Sequence, residues 1–391
     1  MGEDVKKPAI RFAGFTDAWE QRMLKGVASV RTGFPFDSNV FSDTGAYLVI
    51  TNGNIQDDNP TVDNNVGNRI DMADERIKEQ YVLDIGDILV TMDGTVGRTA
   101  KVAHSQLILA QRVGRLTAKE NFEFLYQALN TGDFLDAMTT LSHGGTIKHI
   151  SLAEISGYTL LVPIDKKEQI KIGDLFHNLD DLITLHQRKY DKLVNLKKSM
   201  LEKMFPQHGA DTPEIRFAGF TDAWEQRKLG ELCNIATGKL DANAMIENGK
   251  YDFYTSGIKK YRIDVAEFAG PAITIAGNGA TVGYMHLADG LFNAYQRTYV
   301  LTGFCADRQF LFSSIGNVLP KKIKEEARAS NIPYIVLDML TDLKIQLPPT
   351  QLEQSQIGDF FHKLDDLITL HQRKLEKLQN IKKSCLEKMF V

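Results

Sequence analysis

The chain has 391 residues, 43% of them hydrophobic and 25% charged, with 46 basic and 50 acidic side chains and a formal net charge of −4. These proportions are those of an ordinary globular protein and exclude a strongly basic chain of the kind that grips nucleic acid unaided. Cys233, Cys305 and Cys385 lie far apart with no CxxC pair, which excludes a disulfide framework and a zinc site, and no apolar run approaches a membrane span or a leader core, so a cytoplasmic protein without a membrane partner is expected.

The chain opens with an arm, Ile10 to Leu24 (IRFAGFTDAWEQRML), which returns as Ile215 to Leu229 (IRFAGFTDAWEQRKL) with 14 of 15 positions identical. Both tryptophans, Trp19 and Trp224, sit in it with Phe12, Phe15, Phe217 and Phe220, and this aromatic set predicts that each arm is anchored on a core. From Lys25 to Lys167 short apolar runs alternate with turns: strands are expected at Tyr47–Ile50, Tyr81–Leu83, Asp87–Thr91 and Tyr158–Val162, and helical spacing over Phe122–Met138. Asn52 to Asn68 is the most polar stretch and reads as a surface loop.

Glu168 to Phe205 then returns as Glu353 to Phe390, with 29 of 38 positions identical at a constant offset of 185. Apolar residues at 3-4 spacing predict a heptad seam through Ile172, Leu175, Leu179, Leu182, Leu193 and Leu196, and through Ile357, Phe360, Leu364, Leu367, Leu378 and Ile381. A second apolar set, including Phe176, Leu185, Phe361 and Leu370, widens the face and leaves surface for something else to pack on. About 36 helical residues would span roughly 54 Å, so these helices are spacers as well as cores. The two seams are expected to pair antiparallel, with His186 and His371 setting register rather than binding metal.

The second block, Gly230 to Leu352, matches the first at few points: Gly86 to Gly97 parallels Gly270 to Gly283, Gln111-Arg112 parallels Gln296-Arg297, and Gly145 to Ile150 falls where Ser330 to Ile335 does. The expected fold is α/β: two mixed α/β domains related by a pseudo-twofold axis and joined by two long antiparallel coiled-coil helices. Its segments are an arm (1–24), a first variable block (25–167), a central spacer helix (168–206), a linker and second arm (207–229), a second variable block (230–352) and a C-terminal spacer helix (353–391).

The sequence carries no catalytic constellation. The turns Asp93–Gly97 and Gly277–Gly283 lack phosphate-loop spacing and read as hairpin turns. Leu347-Pro-Pro-Thr350 lacks the asparagine and aromatic of an amino-methyltransferase motif, and His143-Gly-Gly145 has no GxSxG beside it. No enzyme activity, metal or cofactor is expected.

The arm, the EQxxIGDxFHxLDDLITLHQRK helix and the turn GDILVTMDGTVGR, each in order and duplicated or partly duplicated, resemble the specificity subunit of type I restriction-modification systems over the whole chain. The resemblance implies that the variable blocks are target recognition domains, each reading one half of a split double-stranded DNA site, that the helices set the spacing, and that methyltransferase subunits, two of them, dock on the halves with restriction subunits joining the larger complex. By shared position and chemistry, the DNA contacts implied are Arg98, Gln111, Arg112, Thr146, Lys148 and His149 in the first block, and Gln296, Arg297, Arg328, Asn331 and Tyr334 in the second. The mild acidity is tolerable if partner subunits supply phosphate contacts. The alternative is a helical scaffold joining two protein-binding heads without DNA.

Overall fold

The computed structural model describes residues 7–57, 59–71, 74–207, 209–326 and 334–391. The chain folds into two compact units. Unit 1 comprises residues 1–187 and 373–391, and unit 2 residues 188–372.

In unit 1, β1 (Glu20–Met23) passes through one helical turn, α1 (Leu24–Val27), into β2 (Ala28–Thr32). There follow β3 (Tyr47–Ile50), β4 (Arg69–Ile70), α2 (Glu75–Tyr81), β5 (Ile88–Thr91), β6 (Thr99–Lys101), β7 (Leu107–Leu109) and β8 (Val113–Ala118). Then come α3 (Phe122–Ala128), α4 (Asp133–Leu141), α5 (Leu152–Gly157), β9 (Thr159–Val162) and the start of the long α6 (Lys166–Lys203). Strands β2-β8-β5-β6 form an antiparallel sheet, β4-β3-β7 a smaller one, and β1-β9 a ribbon in which the arm closes on the strand that ends the block. All four residues of β5, Ile-Leu-Val-Thr, are buried, which is why that strand reads as a continuous apolar run rather than an alternating one.

Unit 2 repeats the plan. The elements are β10 (Glu225–Lys228), α7 (Leu229–Leu232), β11 (Asn234–Thr237), β12 (Tyr251–Tyr254), β13 (Tyr261–Ile263), β14 (Phe268–Ala269), β15 (Ala272–Ala276), β16 (Met285–Ala288), β17 (Leu291–Ala294), β18 (Thr298–Thr302), α8 (Arg308–Glu326), α9 (Leu337–Thr341), β19 (Lys344–Leu347) and α10 (Gln351–Met389). The sheets are β11-β18-β15-β16 and β13-β12-β17-β14, with the ribbon β10-β19. Both contain the same rarity, a parallel pair inside an otherwise antiparallel arrangement: β3 with β7 and β12 with β17.

Each unit takes one end of each long helix. In unit 1, Phe176 of α6 meets Phe390 just beyond α10, and Lys382 Nζ lies 2.6 Å from Asp180 Oδ1; the residue number falls on one helix as it rises on the other, so the two segments run antiparallel. In unit 2, Phe205 meets Phe361 and Lys197 Nζ lies 2.5 Å from Asp365 Oδ1, the same two contacts at the same offset. Ile172, Leu179, Ile357 and Leu364 are buried, and Leu175, Leu193, Phe360 and Leu378 are half-buried. Leu182, Leu196, Leu367 and Ile381 are exposed, whereas Phe176 and Phe361 are wholly buried. The covered stripe therefore passes through the phenylalanines of the wider face.

The tryptophans anchor the arms as their spacing predicts: Trp19 stands edge-on to Phe124 and Phe390, and Trp224 edge-on to Phe205 and Phe310. Three local expectations are corrected. Tyr81 ends α2, and Val82 makes only an isolated bridge to Ile108, so Tyr81–Leu83 is not a strand. The helical run over Phe122–Met138 is broken in two at Asn130–Gly132, where Gly132 takes a positive φ. Asn52–Asn68 is not simply a surface loop: Asn54 is 2% exposed, its amide donates to the carbonyls of Asp63 and Val66, and Ile55 and Val62 beside it enter the core.

Candidate nucleic-acid interface

In unit 1 three separate segments meet beside the hairpin turn between β5 and β6. The turn places Asp93 opposite His149 in an isolated bridge, and Gly94 N donates to Lys148 O at 2.9 Å. Ile150 N donates to Met92 O at 2.9 Å, so the strip His143–Ile150 runs along the turn. From the other side, Gln111 N donates to Phe34 O at 2.9 Å, and Arg112 adopts a positive φ of 65°, which turns its side chain towards the same corner.

Asp93 holds these segments together through its side chain. His149 Nδ1 lies 2.7 Å from Asp93 Oδ1, and Arg112 Nη1 donates to Asp93 Oδ2 at 3.0 Å. Partial burial pushes the Asp93 carboxyl up, but the hydrogen bonds from His149 and Arg112 outweigh it and hold the group below the ordinary carboxylate value. An open groove adjoins the corner, lined by Phe34, Phe36, Asn52, Asn68, Asp93, Gln111 and Arg112 among others. It offers amide and guanidinium donors over an aromatic floor.

Gln111, Arg112, Lys148 and His149 come together on this corner, and Thr146 lies on the strip between the bridged His143 and His149; Gln111, Arg112, Thr146 and Lys148 are exposed and His149 half-exposed. Arg98 sits past the turn and pairs with Asp57.

In unit 2 the same positions assemble with different groups. Asn278 bridges Tyr334, Ile335 N donates to Gly277 O at 2.7 Å, and Gly277 N donates to Arg297 O at 2.8 Å. Gln296 N donates to Leu240 O at 2.8 Å, as Gln111 does to Phe34. Gln296 and Arg297 are exposed, and Tyr334 is 58% exposed. Arg328 and Asn331 lie outside the described residues. Ser256 Oγ donates to Asn278 Oδ1 at 2.7 Å, and next to it Tyr284, His286 and Tyr254 pack ring against ring with Lys260 Nζ 5.3 Å above Tyr254. Burial pushes the His286 imidazole below its ordinary value, with Lys260 acting in the same direction against the Gly257 carbonyl, so the ring is neutral near pH 7.

Asp93, Asn278 and Ser256 were not among the expected contacts. A signal existed for two of them: the offset of 185 that relates the long helices also relates 93 to 278, 112 to 297 and 149 to 334, pairing Asp with Asn, Arg with Arg and His with Tyr. Among the described residues no group of three His, Cys, Asp or Glu side chains is placed to hold a metal ion, and no helix is long and apolar enough to cross a membrane.

One frame used twice, carrying unlike polar corners, defines a duplicated α/β protein with two different presenting surfaces. The sequence model of the type I restriction modification DNA specificity domain matches residues 16–195 and 221–380, and the chain belongs to that family. The family is named for specificity rather than catalysis, in keeping with a chain that is not itself the enzyme. The specificity subunit of the type I restriction enzyme EcoDI from Escherichia coli is 38% identical over 159 residues, a match covering 40% of this chain and about a third (34%) of that protein. A putative type I specificity subunit from Mycoplasma genitalium is 23% identical over 290 residues, covering 69% of this chain and 71% of the relative. The crystal structure of a type I restriction-modification S subunit from M. genitalium superposes with a TM-score of 0.74 at 17% identity, over 98% of this chain and 99% of that one, which shows a shared fold.

Proposed function

We propose that the chain reads a bipartite, asymmetric DNA target in the cytoplasm, one half-site per unit, and docks two methyltransferase subunits, with restriction subunits joining the full complex. The observation that carries this reading is the pairing of a nearly invariant frame with unlike corners: Arg11–Glu168 and Arg216–Glu353, or Asp180–Lys382 and Asp365–Lys197, recur contact for contact, whereas the corner of unit 1 pairs Asp93 with His149 and that of unit 2 pairs Asn278 with Tyr334. A protein that must read two different sequences with one architecture needs that division. In this reading Arg98, Gln111, Arg112, Thr146, Lys148 and His149 address one half-site and Gln296, Arg297, Arg328, Asn331 and Tyr334 the other, arginine suiting guanine and glutamine or asparagine suiting adenine, at about 1–3 kcal/mol of discrimination per good bidentate pair.

Docking of methyltransferase subunits draws support from the helices. Leu182 and Leu185 in unit 1 are 43% and 44% exposed, and Leu367 and Leu370 in unit 2 are again 43% and 44% exposed. Such apolar positions left open at matching heights suit a partner's apolar face.

Exchange of residues 25–167 for the corresponding block of another family member tests the reading. Sequencing of modified bases in host DNA should then show one half of the target altered and the other kept. A change in both halves, or in neither, would falsify it. Failure of the full chain with its methyltransferase partner to retain DNA selectively would favour a scaffold joining two protein-binding heads.

A further inference from the structure

The corner of unit 1 contains a charged group that its counterpart lacks, and this asymmetry sits where the two units otherwise agree. Asp93 and Asn278 occupy equivalent turns between equivalent strands, with positive-φ glycines following each, Gly94 and Gly97 in one, Gly279 and Gly283 in the other. Both turns receive the same backbone hydrogen bond, Ile150 N to Met92 O and Ile335 N to Gly277 O. The turn therefore needs no carboxylate to form. What the carboxylate adds is a fork: one oxygen takes Arg112 and the other His149, from segments that do not otherwise share a side-chain hydrogen bond with each other. In unit 2 the amide oxygen of Asn278 takes Ser256 Oγ instead and carries no charge.

We infer that Asp93 is a positioning residue for base recognition by unit 1, holding the Arg112 guanidinium and the His149 imidazole at a fixed spacing on the edge of the groove. The inference rests on the DNA-reading function proposed above and deepens it. An arginine reads a guanine edge by two parallel hydrogen bonds, and a side chain free to swing must be ordered at the moment of binding. Arg112 is 61% exposed on its side chain, so its hydrogen bond to Asp93 rather than burial fixes its direction. Asp93, only 22% exposed, is the fixed point. It uses one guanidinium nitrogen and leaves the rest of the five-donor fork for a ligand. Unit 2 carries Arg297 at the matching place, where the turn residue is the uncharged Asn278, so the change Asp93→Asn converts one arrangement towards the other.

The test uses the full chain in complex with its methyltransferase subunit and a library of randomised duplexes, from which the bound sequences are selected and counted. The wild-type complex should select a split target. Asp93→Asn, equal in size and uncharged, should reduce discrimination at positions in one half by about tenfold, the scale of a misdirected bidentate pair, and leave the other half unchanged. Asp93→Glu, which keeps the charge, should restore part of it, a rescue that a purely structural role for the turn would not give. If Asp93→Asn melts early, Arg112→Lys and His149→Gln, both at accessible side chains, probe the same fork and should lower discrimination in that same half. Unchanged selection at every position, or an equal loss in both halves, overturns the inference while leaving the reading in place. A wild-type complex that selects no sequence overturns both.

Discussion

The carboxylate of Glu168, wholly buried in the first turn of α6, accepts two hydrogen bonds from the Arg11 guanidinium, Nε to Oε1 at 2.5 Å and Nη2 to Oε2 at 2.8 Å. Arg216 and Glu353 repeat the fork in unit 2 at 2.7 and 2.8 Å. In each unit the arm is also tied by its backbone to the end of the other long helix, Ile10 N donating to Lys388 O at 2.8 Å and Ile215 N to Lys203 O at 2.9 Å. The arms are thus clasps as well as aromatic anchors.

Removing one member of such a pair leaves an uncompensated charge away from water, which costs about 3–5 kcal/mol, whereas removing both is far milder. Arg11→Ala should therefore bring forward a urea transition in unit 1, and Arg216→Ala one in unit 2. The double change Arg11→Met with Glu168→Met should recover a large part of the loss. Equal midpoints for Arg11→Ala and the wild type would show that the clasp is not held by this pair.

Gly173 presents a contest between two effects. An alanine inside a helix is favoured over glycine by about 1 kcal/mol, which argues for stabilisation by Gly173→Ala. A Cβ there would lie 2.3 Å from Asn121 Oδ1, the oxygen that accepts from Phe124 N at 2.7 Å and caps α3. Overpacking costs about 1–3 kcal/mol and a lost cap about 1 kcal/mol, so sterics win and the variant should be less stable by about 1–3 kcal/mol. Gly358 faces the same obstacle, with Asp307 Oδ1 at 2.7 Å and Phe310 N at 2.6 Å from a built Cβ. Thermal unfolding of both alanine variants decides the matter, and a raised midpoint in either would contradict the close approach.

Cys233 is buried, and burial, with Cys305 adding to it, pushes its thiol up to about 12. Its raised folded value favours the neutral thiol, so its contribution to stability is whole below the unfolded value of about 8.5 and is lost as pH rises from there towards about 12. In a thiol-reagent assay at pH 8, exposed Cys305 should react first, half-buried Cys385 more slowly, and Cys233 only after unfolding. Prompt modification of all three in the native protein would contradict this order.

The parts of the fold that could be read from sequence are those where one physical signal acts alone. The long helices announce themselves by duplication and 3-4 spacing, β3 by a bounded apolar run, and the arms by tryptophans with few other ways to be buried. What could not be read depends on a second residue far away. Gly173 looks like a weak point in a helix until Asn121 is seen pressing on it. Asn54 looks like loop until Asp63 and Val66 offer it their carbonyls. Asp93 looks like a turn residue until Arg112 and His149 arrive from distant loops. The covered face is wider than the heptad seam for a similar reason: Ile172, Leu179, Ile357 and Leu364 of the seam are buried, but the block-facing side of each helix is also covered, by Trp19, Phe124 and Phe390 in unit 1 and by Trp224, Phe205 and Phe310 in unit 2, and this brings Phe176 and Phe361 inward while Leu182 and Leu367 stay open.

Those open leucines give the last prediction. Leu185 and Leu370 are each 44% exposed and make little of the core, so an aspartate at either should change stability by no more than about 0.5 kcal/mol. Against an apolar partner face the same aspartate would be a buried, unpaired charge, a far larger penalty. If two methyltransferase subunits dock as proposed, Leu185→Asp should leave the chain folded but reduce the number captured from two to one, and Leu370→Asp should do likewise at the other unit. The double variant should capture none. Native mass spectrometry of the reconstituted complex counts the subunits directly; two copies on both single variants would mean that the partner docks elsewhere, since no apolar surface tolerates a desolvated carboxylate at its centre.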